Sequence, residues 1–505
     1  MVFPRFAPVL LCAGLLLAQT ESPQPRCRVE GTVLNTATSQ PVAGTWVTLR
    51  ARSGVFAAVS SLTDAQGRFA FTDISGGAYW IEAHRDNFLN DSGAPLTLAP
   101  GEEKRDLVLR MTPYGVIAGH VRTEEGDPIS NLRVDAMVYE HRAGGRQLVS
   151  RSSTTTNDLG EYRLFGLIAG KYFLRTEQRN TPGAGEIYPA AYYPGVTDVS
   201  GAAPLELGAG QEFRDKDLVL YRTRTWKIRG KVAMPPGASR IVVSLNENGM
   251  TSTVVDEPTG AFELRGVAPG AYILTAYGGA GEKTYIARQP IQVTTADIDG
   301  IALHLVPYLD LKGVLRIEGP TSIKPSQLRV GWQGSTSEVR EDGTFTFRDL
   351  RPDLDRLTVS GAEDLFIKSI RCGPADVTES GVDLTGGAGC DLAIALSANG
   401  GQIEGSVEDD QGRPAKAATI TLVAQNTRRT DLFKQTTSDA VGHFEFAGIA
   451  PGSYRLYAWE AVDFNAVRYD PDFVKPYEAS SRGLAIGEGA RENVSLKQIA
   501  KSAAR

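Results

Sequence analysis

The chain has 505 residues, of which 42% are hydrophobic, so it can bury several separate cores. Its net charge of −6 and its pI near 5.6 provide no basic surface, and we therefore expect no nucleic-acid partner. Apolar residues alternate with period 2 between many Gly turns, and helix-period stretches are scarce, which excludes an α-helical protein and indicates an all-β one.

The first residues have the pattern of a signal peptide. Arg5 precedes an apolar run at 9–18, and small and polar residues follow that run. The run is too short to span a bilayer as a helix, and no second apolar segment of spanning length follows it. We predict a signal peptide over residues 1–20, no transmembrane segment after its cleavage, and a secreted, periplasmic or cell-surface protein. A lipoprotein anchor at Cys12 is the alternative, although bulky Leu11 precedes that cysteine.

One motif recurs five times along the rest of the chain. Its first copy joins a T-D-x-x-G turn at Thr63 to alternating strands at 69–71 and 79–83. The later copies occupy residues 158–174, 256–276, 341–359 and 439–458. A spacing of roughly ninety to a hundred residues is too long for a solenoid unit and matches a small domain. We therefore predict five β-sandwiches, called repeats 1 to 5, at residues 26–112, 113–222, 223–307, 308–397 and 398–505.

Repeat 1 illustrates how each domain is built. The first strand, at 29–33, contains Gly31, which permits another backbone or a bulky aromatic side chain to approach closely. A turn at 64–67 leads into Phe69 and Phe71, whose rings point to the same face of a strand. Short strands separated by Gly and Pro turns predict a seven- or eight-stranded antiparallel sandwich for each repeat.

The recurring motif resembles the carboxypeptidase regulatory-like domain. It reads V-x-G-x-V, then P-V-x-G-x-x-V-x-L, then T-D-x-x-G-x-F-x-F and G-x-Y-x-L-x-A. The segments that carry it best are 29–33, 41–49, 63–71 and 77–83 in repeat 1, and 405–414, 439–446 and 451–458 in repeat 5. The resemblance extends over the mature chain and is weakest in repeat 4. It implies tandem transthyretin-like, Greek-key β-sandwiches that serve exported bacterial proteins as spacers, partner-binding surfaces or carbohydrate-binding-like units.

No catalytic constellation accompanies these domains. The five histidines are scattered, and none has the His-x-x-Glu spacing of a zinc site: His84, His120, His141, His304 and His443. One carboxylate per T-D-x-x-G turn is too few for calcium, so Asp64, Asp158 and Asp439 are interpreted as turn residues. We expect no enzyme activity, no cofactor and no metal. An unrecognised hydrolase would require a cluster of His, Asp and Glu that the sequence does not indicate.

Three of the four cysteines follow the predicted signal peptide. Cys372 and Cys390 flank a strand-like segment of repeat 4, and an oxidising compartment favours a disulfide between them. Two buried, reduced thiols are the alternative. Cys27 has no obvious partner.

Two aromatic insertions follow the Gly-x-Tyr strand, one in repeat 2 and one in repeat 5. Their rings are candidates for ligand binding: Tyr188, Tyr192, Tyr193, Trp459, Phe464, Tyr469, Phe473 and Tyr477. Rings on loops beside carboxylates suit a sugar, whose apolar face stacks and whose hydroxyls need acceptors. The alternative is that these rings pack over their own sandwich or over the next domain.

These observations predict an exported, non-catalytic binding or scaffold protein with carbohydrate as the ligand class. The alternative function is a structural spacer or protein-interaction rod at the cell surface. Short linkers between the repeats restrict domain rotation, which predicts a semi-rigid, monomeric rod. A polysaccharide or a cell-envelope protein is the expected partner.

Overall fold

The computed structural model of the protein describes residues 25–52, 58–89, 93–142, 145–180, 185–245, 251–361, 363–426 and 428–500. The predicted signal peptide and Cys12 lie outside these residues. Strands make up 59% of the described residues and helices 5%, which confirms the all-β prediction. Within the described residues, no helix has both the length and the apolar character needed to cross a membrane.

The described residues form two compact units. The first contains residues from 1–120, 161–172 and 204–217, and the second contains residues from 121–160, 173–203 and 218–505. Repeat 1 therefore lies in the first unit, repeats 3 to 5 lie in the second, and repeat 2 contributes strands to both.

The described residues of repeat 1 form seven strands in two sheets. The strands are β1 (Cys27–Asn35), β2 (Trp46–Ala51), β3 (Ala58–Leu62), β4 (Arg68–Ile74), β5 (Gly77–His84), β6 (Ala94–Leu98) and β7 (Glu103–Met111). One sheet has the order β4-β1-β7 and the other the order β3-β2-β5-β6. Val29, Val47, Leu49, Phe69 and Phe71 are buried in one core, because alternate residues of both sheets point inward.

Repeat 2 divides its strands between the two units. They are β8 (Gly115–Thr123), β9 (Arg133–Arg142), β10 (Gly145–Thr155), β11 (Glu161–Leu167), β12 (Gly170–Thr176), β13 (Arg179–Asn180), β14 (Glu186–Tyr188), β15 (Leu205–Leu207), β16 (Glu212–Phe213) and β17 (Leu218–Leu220). In the first unit β8 pairs with β11 and β16, and β12 pairs with β15. In the second unit β9 lies between β10 and the end of β12, and β17 pairs with the end of β8.

Repeat 3 again has a three-stranded and a larger sheet. Its strands are β18 (Thr223–Arg224), β19 (Trp226–Ala233), β20 (Ala238–Leu245), β21 (Thr251–Val254), β22 (Ala261–Val267), β23 (Gly270–Ala280), β24 (Lys283–Val293), β25 (Ile298–His304) and β26 (Val306–Pro307). The orders are β22-β19-β25 and β21-β20-β23-β24-β26, and the short β18 pairs with β14 of repeat 2. The inward residues form a core of their own.

Repeat 4 is the most irregular copy. Its strands are β27 (Leu309–Glu318), β28 (Arg329–Trp332), β29 (Ser335–Glu338), β30 (Thr344–Leu350), β31 (Leu354–Asp355), β32 (Thr358–Ser360), β33 (Phe366–Cys372), β34 (Ala375–Asp376), β35 (Val382–Asp383) and β36 (Leu392–Ser397). They form sheets of order β30-β27-β36-β33-β34, β29-β28-β32 and β31-β35. The strand that carries Gly-x-Tyr in other copies is broken here into β31 and β32, because residues 353–357 depart from that motif.

In repeat 5, the part of the chain that the structure describes forms seven strands and one α-helix. These are β37 (Gly401–Glu408), β38 (Thr419–Ala424), β39 (Lys434–Thr437), β40 (His443–Ile449), β41 (Gly452–Trp459), α1 (Phe464–Tyr469), β42 (Arg482–Ile486) and β43 (Arg491–Ile499). The strand order is β39-β38-β41-β43-β37-β40, and β42 pairs with β41. Short 3₁₀ helices lie at Val199–Gly201, Pro325–Gln327, Thr430–Leu432 and Lys475–Ser480.

The opening strand of every repeat pairs in parallel with its closing strand. The pairs are β1 with β7, β8 with β16 and β17, β19 with β25, β27 with β36, and β37 with β43. Parallel neighbours need a long crossover connection, which here is the remainder of the repeat. The sheets are thus mainly antiparallel, as predicted, with parallel pairs that the alternation pattern did not indicate.

The glycine of each opening strand lies where another backbone, an aromatic ring or both approach it. A Cβ on Gly31 would meet the carbonyl oxygen of Leu107 and would lie 2.6 Å from Cζ of Phe69. The same position in repeat 5, Gly405, faces the carbonyl oxygen of Val494. This confirms the close approach predicted for Gly31.

A tyrosine hydroxyl closes the Gly-x-Tyr turn in four repeats. The hydroxyl donates to the carbonyl oxygen four residues earlier: Tyr79 to Ser75 at 2.8 Å, Tyr172 to Ile168 at 2.7 Å, Tyr272 to Ala268 at 3.0 Å, and Tyr454 to Ala450 at 2.8 Å. Each bond satisfies a carbonyl group that the turn leaves without a strand partner. The tyrosine of the motif is therefore retained for its hydroxyl as well as for its ring.

We expect repeat 5 to lose stability as the pH rises from about 10 to about 12. Burial raises the pKa of Tyr454 to about 12, whereas an unfolded tyrosine titrates near 10. The stabilising effect is complete below pH 10 and disappears as Tyr454 ionises in the folded protein, a loss of about 3 kcal/mol. Urea unfolding at pH 9 to 12 measures it. The Tyr454→Phe variant should be about 1 kcal/mol less stable at pH 8 and less sensitive to alkali; an equal alkaline loss in both proteins would contradict the assignment.

The T-D-x-x-G carboxylates hold their own turns. Oδ1 of Asp64 accepts hydrogen bonds from the backbone N–H groups of Gln66 at 2.9 Å and Arg68 at 2.8 Å. Asp439 repeats this arrangement in repeat 5. In repeat 2 the equivalent residue is Asn157, whose Oδ1 accepts from the N–H of Leu159. Asp158 lies in the turn, as predicted, but its neighbour Asn157 holds the turn. The motif permits Asn because its amide oxygen accepts the same bond.

Candidate functional site

The insertion of repeat 5 begins directly after β41 and forms one short helix. Oδ1 of Asp463 caps α1 by accepting from the N–H of Asn465 at 2.9 Å. The helix ends at Tyr469 because Asp470 precedes Pro471, and a residue before proline avoids the helical conformation. Oδ1 of Asp470 then accepts from the N–H of Asp472 at 3.0 Å. Two aspartates therefore fix the two ends of the helix.

The aromatic rings of repeat 5 stack on one another. The ring of Trp459 lies 5.4 Å from that of Tyr457 at an interplanar angle of 17°, and Tyr477 meets it edge-on at 5.0 Å. Phe473 lies 6.2 Å from both Trp459 and Tyr477. We call these four residues the aromatic cluster. Phe464, Phe473 and Tyr477 also pack against the buried core of repeat 5.

Trp459 is fully buried and offers no free ring face to a ligand. Its Nε1 donates to Oγ1 of Thr421 at 2.9 Å, so its polar atom is also satisfied. The prediction of Trp459 as a stacking residue is therefore wrong, because the insertion folds back over its own sheet. Phe464, Tyr469, Phe473 and Tyr477 are half-buried around it.

The insertion also contacts repeat 2 within the second unit. α1 lies beside β9. Nδ1 of His141 is 3.7 Å from Oδ2 of Asp463, and its Nε2 is 3.4 Å from Oδ2 of Asp470. The ring of Phe473 meets the imidazole at 6.5 Å. Sequence analysis did not indicate this contact, because nothing local to His141 marks its partners.

The three predicted tyrosines of repeat 2 are half-buried. Burial raises the pKa of Tyr188, which lies on β14. Tyr192 and Tyr193 lie against the end of β12: the N–H of Tyr193 donates to Leu174 at 3.1 Å, and the guanidinium of Arg175 is 5.9 Å from the ring of Tyr192. The Tyr193–Pro194 peptide bond is cis. The structure does not bring these rings together with the aromatic cluster of repeat 5 through any contact among the described residues.

A second contact joins repeats 4 and 5. The guanidinium of Arg429 donates to both carboxylate oxygens of Asp431, at 2.8 and 2.7 Å, and to the carbonyl oxygen of Ile367 at 3.1 Å. Nζ of Lys434 donates to the carbonyl oxygens of Glu363 and Ala447, both at 2.7 Å, and burial lowers its pKa. A cavity of about 290 Å³ lies beside these residues. No sequence signal distinguished Arg429 or Lys434 from surface charges.

The structure contains a disulfide between Cys372 and Cys390, the predicted pair. It joins Cys372 at the end of β33 to Cys390, two residues before β36, and these two strands are neighbours in one sheet of repeat 4. Cys27 is a free, buried thiol whose Sγ donates to the carbonyl oxygen of Ala99 at 3.0 Å. In the part of the chain that the structure describes, no group of three His, Cys, Asp or Glu residues is arranged to hold a metal ion.

Two segments of the chain, 28–112 and 402–496, match the family model of the carboxypeptidase regulatory-like domain. Repeats 1 and 5 are carboxypeptidase regulatory-like domains. Both regulatory-like domains contain the glycine contact, the aspartate turn and the tyrosine hydrogen bond described above. No curated protein matches the chain.

Several solved pilin structures are similar to this chain. The major pilin subunit BcpA of Bacillus cereus has 11% identity and a TM-score of 0.19, over 55% of this chain and 99% of that one. The minor pilin GBS52 of Streptococcus agalactiae has 14% identity and a TM-score of 0.22, over 38% and 96%. The shaft pilin SpaA of Lactobacillus rhamnosus GG has 9% identity and a TM-score of 0.23, over 39% and 97%. Identities this low say nothing about the activity of the chain.

Proposed function

We propose that the protein is an exported, non-catalytic scaffold in which the insertion of repeat 5 holds that repeat against repeat 2. The observation that carries this proposal is the contact of α1 with β9, where His141 lies between Asp463 and Asp470 and against Phe473. The rings that could have formed an open binding loop are used for packing. The insertion therefore serves to join repeat 5 to repeat 2, just as β14 in the insertion of repeat 2 pairs with β18 of repeat 3.

The contact between repeats 4 and 5 supports the same proposal. The side chain of Arg429 is 9% exposed and bonds to both repeats, through Asp431 on one side and Ile367 on the other. A charge buried to this degree needs all its partners, so separation of the two repeats would leave it without one of them. Short linkers alone would restrict rotation, whereas this contact fixes one orientation.

A cross-linking experiment tests the contact between repeats 2 and 5. Arg142 and Asn465 are exposed and lie on β9 and α1, the two elements in contact. Neither residue belongs to the ion pairs of His141 or to the aromatic cluster. In the full chain, the Arg142→Cys/Asn465→Cys variant should give a high yield of intramolecular product with a short bismaleimide. The matched variant Arg142→Cys/Val441→Cys, with its second cysteine at an exposed turn of repeat 5, should give little. Equal yields, or products only between molecules, would refute the proposal.

Export and the expected partners belong to the same proposal. The disulfide of repeat 4 supports a location in an oxidising compartment, such as the periplasm or the cell surface. A monomeric scaffold with a polysaccharide or a cell-envelope protein as its partner fits a chain that carries several separate cores.

Carbohydrate binding is the second candidate function, and an exposed tryptophan in repeat 1 favours it. Trp46 is 53% exposed on the outer face of the β3-β2-β5-β6 sheet. Thr48, Arg50 and Glu82 follow on the same face by strand register, and the last two are ion-paired at 3.2 Å. A ring beside donors and acceptors is the chemistry that a pyranose needs, and Tyr188, Tyr192 and Tyr193 supply half-buried rings in repeat 2.

Affinity electrophoresis of the full chain in soluble starch, laminarin and xylan tests this second function. We expect retardation by one of these polysaccharides, which Trp46→Ala or Tyr192→Ala/Tyr193→Ala should abolish. Tyr277→Ala is the matched control, because Tyr277 is 46% exposed and lies on β23 of repeat 3, outside both candidate surfaces. If no polysaccharide retards the protein, or if retardation survives both variants, the carbohydrate proposal fails and the scaffold proposal stands.

A further inference from the structure

His141 occupies an unusual position, since each of its ring nitrogens faces a different carboxylate. Nδ1 faces Oδ2 of Asp463 at 3.7 Å, and Nε2 faces Oδ2 of Asp470 at 3.4 Å. The histidine side chain is only 16% exposed. A protonated imidazole donates from both nitrogens, whereas a neutral one donates from one and presents a lone pair at the other. Only the protonated ring therefore suits both partners.

Backbone hydrogen bonds of the insertion hold the two carboxylates in place independently of His141. Each one uses Oδ1 to accept a backbone N–H at an end of α1, from Asn465 in one case and Asp472 in the other. Their Oδ2 atoms remain directed at the histidine. Neither carboxylate can turn away from a neutral imidazole without losing its bond to the backbone, so the arrangement discriminates between the two forms of the ring.

The other charged groups around His141 are engaged elsewhere. Arg146 lies opposite it on β10, but its guanidinium stacks on the ring of Tyr139 at 3.8 Å. On β9 itself, Glu140 pairs with Arg142 and with Arg151 of β10. On the insertion, Arg468 donates to the carbonyl oxygen of Thr430, and Lys475 pairs with Asp472. The two carboxylates of the insertion are thus the charges that meet the imidazole.

We propose that the contact between repeats 2 and 5 is a pH-sensitive latch, closed when His141 is protonated and weakened when it is neutral. This inference rests on the scaffold function proposed above and adds its regulation. Histidine is the side chain that ordinarily changes charge between pH 5 and 8, a range that an exported protein encounters. At acidic pH the imidazolium bridges both carboxylates. At alkaline pH one carboxylate faces a lone pair and the insertion loosens from β9.

Hydrogen–deuterium exchange of the full chain tests the latch through the amides of α1, where Val467 donates to Asp463 and Asp470 donates to Ala466. After correction for intrinsic rates, the wild-type α1 peptide should exchange about tenfold faster at pH 8 than at pH 5.5, the size expected when partly exposed ion pairs are lost. His141→Gln should exchange fast at both values. His141→Lys keeps a cation at both and should stay protected at both.

A matched histidine control completes the experiment. His443 is exposed and opens β40, so His443→Gln should behave as the wild type does. Equal protection of wild-type α1 at both pH values, with the 142–465 cross-link still formed, would refute the latch and leave the scaffold intact. Absence of both protection and cross-link would refute the scaffold. A pH response that persists in both His141 variants would also overturn the latch, because another group would then carry it.

Discussion

Replacing Gly405 by alanine is expected to unfold repeat 5 at a markedly lower temperature than in the wild type. The new Cβ would meet the carbonyl oxygen of Val494 in β43 and would lie 2.7 Å from Cζ of Phe444. The oxygen belongs to the parallel pair of β37 and β43, and the ring is buried, so neither can yield easily. Overpacking of this kind costs about 3 kcal/mol, which lowers the midpoint by roughly 15 °C in a domain of this size.

Scanning calorimetry of the full chain measures this effect, with hydrogen exchange to assign the transition to repeat 5. Gly483→Ala is the matched control, because Gly483 lies on β42 and a Cβ there would have no heavy atom within 4 Å. That variant should unfold at the wild-type temperature or slightly above it. Equal destabilisation by both substitutions would show that the loss comes from the flexibility of glycine in a strand and not from the close approach.

Removal of the disulfide is expected to destabilise repeat 4 by about 3 kcal/mol, because the two cysteines are 18 positions apart in the sequence and the cross-link limits the conformations of the unfolded chain. The variant is Cys372→Ala/Cys390→Ala. Trp332 is buried in the core of repeat 4. Its ¹⁹F resonance in protein labelled with 5-fluorotryptophan, assigned with Trp332→Phe, follows urea unfolding of this domain separately from the other four tryptophans.

Cys27→Ala provides the comparison, since Cys27 is buried in the core of repeat 1. Its substitution should leave the Trp332 transition unchanged while the double variant shifts it. Reduction of the wild-type protein should reproduce the effect of the double variant. If the midpoint of the Trp332 transition stayed unchanged after both treatments, the packing of β33 and β36 would be sufficient to hold repeat 4 without the cross-link.

Local chemistry explains why much of the fold could be predicted from the sequence. The close approach at Gly31, the turn at Asp64 and the pairing of Cys372 with Cys390 each follow from a residue type and its immediate neighbours. In repeat 2 the role of Asp64 was assigned to Asp158 because it is an aspartate, whereas the neighbouring Asn157 accepts the hydrogen bond. Such features are marked by a short sequence motif, even where the partner, such as Leu107 for Gly31, lies on another strand of the same repeat.

The candidate site could not be predicted in the same way, because its contacts join distant parts of the chain. Nothing near His141 in the sequence indicates that Asp463 and Asp470 lie beside it. Tryptophan is a residue type that commonly stacks on ligands, but Trp459 is buried because the insertion folds over it. In the sequence, nothing distinguishes Arg429 from an exposed charged residue. In the structure, it donates a hydrogen bond to the carbonyl oxygen of Ile367 in repeat 4. Such partners depend on the arrangement of whole domains.

The parallel pairing of opening and closing strands has a mechanical consequence. In repeat 5 the chain enters at the start of β37 and leaves at the end of β43, which lie at opposite ends of the pair. A force that stretches the repeat between these points slides the two strands past each other, so their hydrogen bonds resist together instead of opening one at a time. A domain tied in this way is suited to bearing tension, whatever partner is attached at either end.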